Sequence, residues 1–143
     1  MAFALLADHA SVPPDGKLYV LGGGISNINM AQLPGRVSFA AVGGFRFTRA
    51  DFNATHTVEL RLVDADGGLV IPPATIQFQT AQAIPADQEE ITVSAVSYLS
   101  PMFGEPGRYR VEYWGSGRLL AGVGLTVSQS PNATPPTGPP PRA

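Results

Sequence analysis

The sequence predicts an all-β domain, an antiparallel β-sandwich of about eight strands. Three observations carry that expectation. Short apolar runs alternate with polar residues at the period of a half-buried strand. Glycine and proline, 16 and 14 of 143 residues, punctuate those runs with turns. No stretch sustains a helical period. With 44% hydrophobic residues, the chain can bury a core without staples.

Phe3 to Asp8 is short and apolar and reads as the first strand. Pro13-Pro14-Asp15-Gly16 is a turn, since proline presets φ and glycine accepts φ > 0. Lys17 to Leu21 is a second strand that could close a hairpin, ended by Gly22-Gly23-Gly24. Val37, Phe39, Ala41, Phe45 and Phe47 share one parity, with a bulge or bend expected at Gly43-Gly44. Val58, Leu60 and Leu62 face one way, Glu59 and Arg61 the other. Asp64 to Gly68 then forms a hairpin loop.

Ile76 and Phe78 alternate with glutamines, and Ile91, Val93 and Ala95 with Thr92 and Ser94. A short helical turn is possible near Ala83 to Glu90. Tyr109, Val111 and Tyr113 point inward, while Arg108, Arg110 and Glu112 point outward. Gly115-Ser116-Gly117 turns the chain into Arg118 to Val127, where Ala121, Val123, Leu125 and Val127 share a face. Ser128 to Ala143 is rich in proline and lacks large apolar residues. The domain is therefore read as 1–127, followed by a disordered tail at 128–143.

Composition narrows the function. A net charge of −2 with only one lysine among nine basic residues provides no electrostatic footprint for nucleic acid. No cysteine is present, so disulfides, thiolate nucleophiles and cysteine metal sites are absent. No apolar run approaches the ~18 residues of a membrane span. With no recognisable signal peptide, the expected location is cytoplasmic, or the virion if the gene is a phage one. Asn53 and Asn132 fit a glycosylation pattern that has no meaning there.

Candidate chemistry is sparse. His9 and His56 lack converging partners, and His56 reads as a loop residue. Asp64-x-Asp66-Gly67 resembles the start of a calcium loop without the later ligands, so a turn is the better reading. Gly22 to Gly24 is not followed by a phosphate-binding helix. Ser116 sits in a hairpin and not in a nucleophile elbow. The apolar loop Tyr98 to Gly104 stands out because loops are normally polar. Leu99, Met102 and Phe103 are the candidate protein-contact residues there. The competing reading makes Leu99 and Phe103 a plug at the end of the sandwich.

Glu105-Pro106-Gly107-Arg108-Tyr109-Arg110-Val111 resembles the entry to strand F of immunoglobulin-like domains. In those domains a tyrosine at the Tyr109 place bonds upstream backbone, and Val111 stands where antibody domains have cysteine. The resemblance implies an immunoglobulin-like sandwich. Phe3 to Ala10 together with Gly16 to Gly24 resembles the opening of a bacterial family of unknown function. That resemblance implies a bacterial or phage source and no particular activity.

The expected role is a non-enzymatic structural or protein-interaction domain, with a protein partner or self-association and no cofactor. The alternatives are a phage virion accessory protein, as a capsid decoration or tail component, and a small-ligand or glycan binder using Tyr98, Tyr113 or Trp114.

Overall fold

The computed structural model describes residues 1–51, 54–79 and 89–130. Eleven strands are present among them: β1 (Phe3–Ser11), β2 (Tyr19–Gly23), β3 (Asn27–Met30), β4 (Gly35–Arg36), β5 (Phe39–Thr48), β6 (Thr55–Val63), β7 (Ala74–Gln79), β8 (Glu90–Leu99), β9 (Met102–Phe103), β10 (Gly107–Gly115) and β11 (Arg118–Gln129). A single 3₁₀ turn, Arg49–Asp51, follows β5. No helix of the described residues is long and apolar enough to cross a membrane. The sequence anticipated the long strands and missed β3, β4 and β9, which are too short to show alternation.

The strands form three sheets. The first has the order β2-β1-β5-β8, the second β3-β11-β10-β6-β7, and β4 pairs with β9 alone. All pairs are antiparallel except β3 with β11, whose register runs from Asn27↔Thr126 to Met30↔Gln129 in parallel. The wholly antiparallel arrangement expected from sequence is corrected at this pair. The chain leaves β2 in the first sheet and reaches the second within a few residues, arriving beside the last strand in the same direction. Backbone bonds from Thr126 N–H to Ser26 and from Ser130 N–H to Met30 extend the pairing.

One core joins the inner faces of the two large sheets. It contains Leu6, Phe39, Phe45 and Phe47 from the first sheet and Leu60, Leu62, Phe78, Val111, Tyr113 and Leu125 from the second. Period-2 alternation delivers these residues to one side of each strand. Phe45 meets Phe78 at 4.8 Å and Tyr113 at 5.9 Å between ring centroids, so aromatic contacts stitch the two layers together.

Local details follow the turn chemistry. Ser116 (φ 52°) and Gly117 (φ 74°) both lie in the left-handed region, as a two-residue turn between twisted strands requires. A register shift at Tyr113/Trp114 leaves Leu120 without a strand partner, and Leu120 packs on the core. The bulge therefore changes the inward parity that was expected to include Ala121. Gly43 and Gly44 do not form a bulge, since β5 keeps register with both neighbours through them. Their smallness serves close approach instead. A Cβ on Gly44 would lie 2.1 Å from the Phe3 ring.

His56 belongs to β6 and not to a loop. The expected domain end after Val127 falls inside β11, which continues to Gln129. Residues 131–143 of the expected tail, and residues 83–88 of the possible helical turn, lie outside the described residues.

Candidate functional site

Among the described residues, β2 is the most exposed strand. It pairs with β1 through Ala7↔Gly23, His9↔Leu21, Ala10↔Val20 and Ser11↔Tyr19, and its other edge has no strand partner among the described residues. All five residues are exposed. Tyr19 is 50%, Val20 40% and Leu21 61% accessible. Neighbouring side chains on a strand point to opposite faces, so both faces of β2 stand in solvent as well as its edge. Folded proteins usually blunt such an edge with charge, proline or a bulge. Tyr19 to Gly23 itself contains no charge and no proline. Gly22 lies in the left-handed region (φ 66°) with the Asp8 carboxylate packed over it, so the extended apolar stretch is Tyr19 to Leu21. The neighbouring turn is well anchored: Gly16 N–H bonds Pro13, and Lys17 N–H and the Tyr19 hydroxyl both bond the Asp15 carboxylate.

Beside β2, the outer face of the first sheet carries a second, smaller apolar cluster. Ala7, Ala10, Ala40 and Val42 are buried there, with Leu5, Leu18 and Val96 packed on them. Tyr98 reaches from β8 past β5 to β1. Its hydroxyl donates to the Ala10 carbonyl, and Ala10 N–H donates to it at 3.1 Å. His9 Nδ1 lies 3.2 Å from the same oxygen. The single phenolic proton is committed to Ala10, so the His9 contact requires a hydrogen on Nδ1. The phenol thus acts as a surrogate strand for Ala10, and His9 is held against Tyr98 with its rings 5.6 Å apart.

The structure separates the three loop residues singled out from sequence. Leu99 (6% accessible) and Phe103 (0%) lie in the core, and the Phe103 ring meets Tyr109 edge-on at 4.6 Å. Only Met102, at 51%, is offered to solvent. Pro101 is fully buried as well. Arg36 Nη1 donates to the Ser100 carbonyl at 2.7 Å, and the Ser38 and Ser100 hydroxyls meet at 2.8 Å, so the apolar loop is fastened to the body of the domain.

The aromatic residues weighed for ligand binding do not converge. Tyr113 is buried in the core, where its hydroxyl has no hydrogen-bond partner and desolvation drives its pKa up. Tyr98 and Trp114 stand on the outer faces of different sheets. Trp114 Nε1 donates to Glu112 at 3.1 Å, and the Arg61 guanidinium lies 4.6 Å over its ring. Glu112 also meets Arg110 at 3.6 Å, so this outward carboxylate is better held than alternation alone implied.

The remaining polar candidates have structural partners. His56 Nε2 donates to the Asp51 carbonyl at 2.8 Å, and its ring packs on Phe47. The Asp51 carboxylate accepts from Thr48 N–H at 2.7 Å and from the Thr48 hydroxyl at 3.1 Å. Those two bonds hold its pKa below the ordinary value, with burial opposing and His56 adding a smaller lowering effect. Asp51 and His56 line an open cleft of about 620 Å³ together with Phe45, Phe47, Val58 and Phe78. Asp64 Oδ1 accepts from the N–H groups of Asp66 and Gly68, which makes it a turn residue. Among the described residues no group of three or more His, Cys, Asp or Glu side chains could hold a metal ion.

The class is therefore an all-β domain of several sheets with one shared core and a bare apolar edge strand. Residues 2–128 match DUF6941, a family of unknown function, and the chain belongs to that family. No curated protein matches the chain. Among solved structures, the chain is similar to Pseudomonas fluorescens alkylpurine DNA glycosylase AlkC bound to DNA containing an abasic site analog. Identity is 16%, the match covers 87% of this chain and 30% of that one, and the TM-score is 0.36. A likeness that low carries no argument about fold or activity.

Proposed function

We propose that this chain is a non-catalytic protein-interaction domain of immunoglobulin-like sandwich type, whose first sheet accepts a further extended polypeptide strand along β2. The observation that carries the reading is the bare Tyr19-Val20-Leu21 edge, apolar and exposed on both faces. An extended backbone is the ligand such an edge is built to take, with main-chain bonds supplying affinity and alternate side chains supplying selectivity. The histidines and Asp51 and Asp64 are engaged in holding turns and strands, which favours binding over catalysis.

Topology supports the immunoglobulin-like assignment. The order β11-β10-β6-β7 corresponds to G-F-C-C′, and β1, β5 and β8 take the places of A, B and E in the facing sheet. Tyr109 supports it as well. Its hydroxyl donates to the Glu105 carbonyl at 2.6 Å, the bond of a tyrosine corner, two residues before Val111 in the cysteine place.

The test compares immobilised full-length wild type with Leu21→Lys, and with Leu119→Lys as a control at an exposed position of the second sheet. The proposal expects Leu21→Lys to abolish retention of a partner from lysate and Leu119→Lys to preserve it. It also expects slower amide exchange at Tyr19 to Leu21 in the bound state. Equal retention by all three proteins, or unchanged β2 exchange on binding, overturns it.

A further inference from the structure

We infer that the strand added to β2 is β2 of a second copy of this chain, paired antiparallel about a twofold axis at Val20. This rests on the strand-addition reading above and names its occupant. The edge calls for an extended, uncharged strand with apolar side chains. The other unpaired edges of the two large sheets are unlike it. β3 presents Asn27 and Asn29, β7 presents Thr75 and Gln77, and β8 begins with Glu90, Thr92 and Ser94. Among the described edge strands, β2 is therefore the best complement to β2.

Symmetry strengthens the choice. Pairing β2 with a different edge of the next copy would leave both edges available again and propagate, whereas pairing like with like closes after two copies. With Val20 opposite Val20, Tyr19 falls opposite Leu21 of the partner copy, an aromatic–aliphatic cross-strand pair on each side of the axis. Lys17 falls opposite Gly23 and Asp15 opposite Ile25, Lys17 and Asp15 both lying before the start of β2. No like charges meet across the ladder, and the net charge of −2 adds little repulsion between copies. The two first sheets then become one continuous sheet, β8-β5-β1-β2-β2-β1-β5-β8. About Val20 only Tyr19, Val20 and Leu21 of β2 face β2 residues of the other copy, and Gly22 (φ 66°) ends the extended run. A ladder of three residues is small beside a standard interface, so the pair forms reversibly and its population depends on concentration.

The absence of cysteine from the chain makes the register directly testable. Opposed Cβ atoms in an antiparallel pair lie within disulfide reach. Full-length Val20→Cys should form a disulfide-linked dimer under mild oxidation, much faster than the exposed control Leu119→Cys at the same concentration. Light scattering on the wild type should rise from monomer toward dimer mass across the micromolar to millimolar range. Leu21→Lys should stay monomeric with an unchanged melting temperature. Equal cross-linking of the two cysteine variants overturns the inference, as does a dimer that survives Leu21→Lys. A wild type that remains monomeric at all concentrations, yet retains another protein in a Leu21-dependent way, overturns the second copy and leaves strand addition standing. Loss of both behaviours removes both readings.

Discussion

Replacing Phe103 with alanine tests whether the apolar loop closes the core or forms a surface. Phe103 is fully buried within the shared core, and its ring lies 4.6 Å from that of Tyr109. Truncating a buried phenylalanine costs about 3–5 kcal/mol, through lost transfer energy and the cavity left behind. For a domain of this size each kcal/mol moves the melting temperature by about 3–5 °C, so the expected drop is roughly 9–25 °C. Met102, its neighbour on β9, is half exposed. Met102→Ala should stay within about 0.5 kcal/mol of wild type. Urea titration with a constant m-value, checked by calorimetry, measures both variants. The order of the two costs decides the matter. A Phe103→Ala cost under about 1 kcal/mol would refute the assignment of Phe103 to the core, and a Met102→Ala cost equal to that of Phe103→Ala would refute the exposure of Met102.

Three further outcomes follow from the same physical picture. Tyr98→Phe removes the partner of both Ala10 backbone groups; it should cost about 1–2 kcal/mol and accelerate amide exchange at Ala10, and unchanged exchange there would sink the surrogate-strand account. Val111→Asp should prevent folding because it buries an unpaired charge, while Glu112→Ala, which releases Trp114 and Arg110, should cost about 1 kcal/mol in denaturant. The Asp51 carboxylate has a depressed pKa in the folded state, so its contribution is present above the ordinary carboxylate value and is lost as pH falls through the folded one. Asp51→Asn should therefore flatten the acid limb of stability below about pH 4, and parallel melting-temperature curves for the two proteins from neutral pH downward would contradict this.

Much of the fold was legible because alternation is a local property. Val58, Leu60 and Leu62 declare their common face within one strand, and so do Tyr109, Val111 and Tyr113. Ser116-Gly117 and Asp15-Gly16 mark their turns through residue types that accept or favour the required φ. The inward parity of these runs depends only on the two-residue repeat of an extended chain, so it can be read without knowing any neighbour.

Partner choice is different, because it joins segments far apart in the chain. Nothing near Asn27 announces that it will lie parallel to Thr126, and the Tyr98–Ala10 bond spans 88 positions. Tertiary packing also decides which apolar residues are hidden. Phe103 and Met102 are adjacent in one apolar loop, and only the placement of β9 against β4 and the core buries the first and exposes the second. In the sequence, Lys17 to Leu21 reads as an ordinary strand. Tyr19-Val20-Leu21 is exposed because it lies at the edge of the first sheet, where none of its side chains joins the shared core.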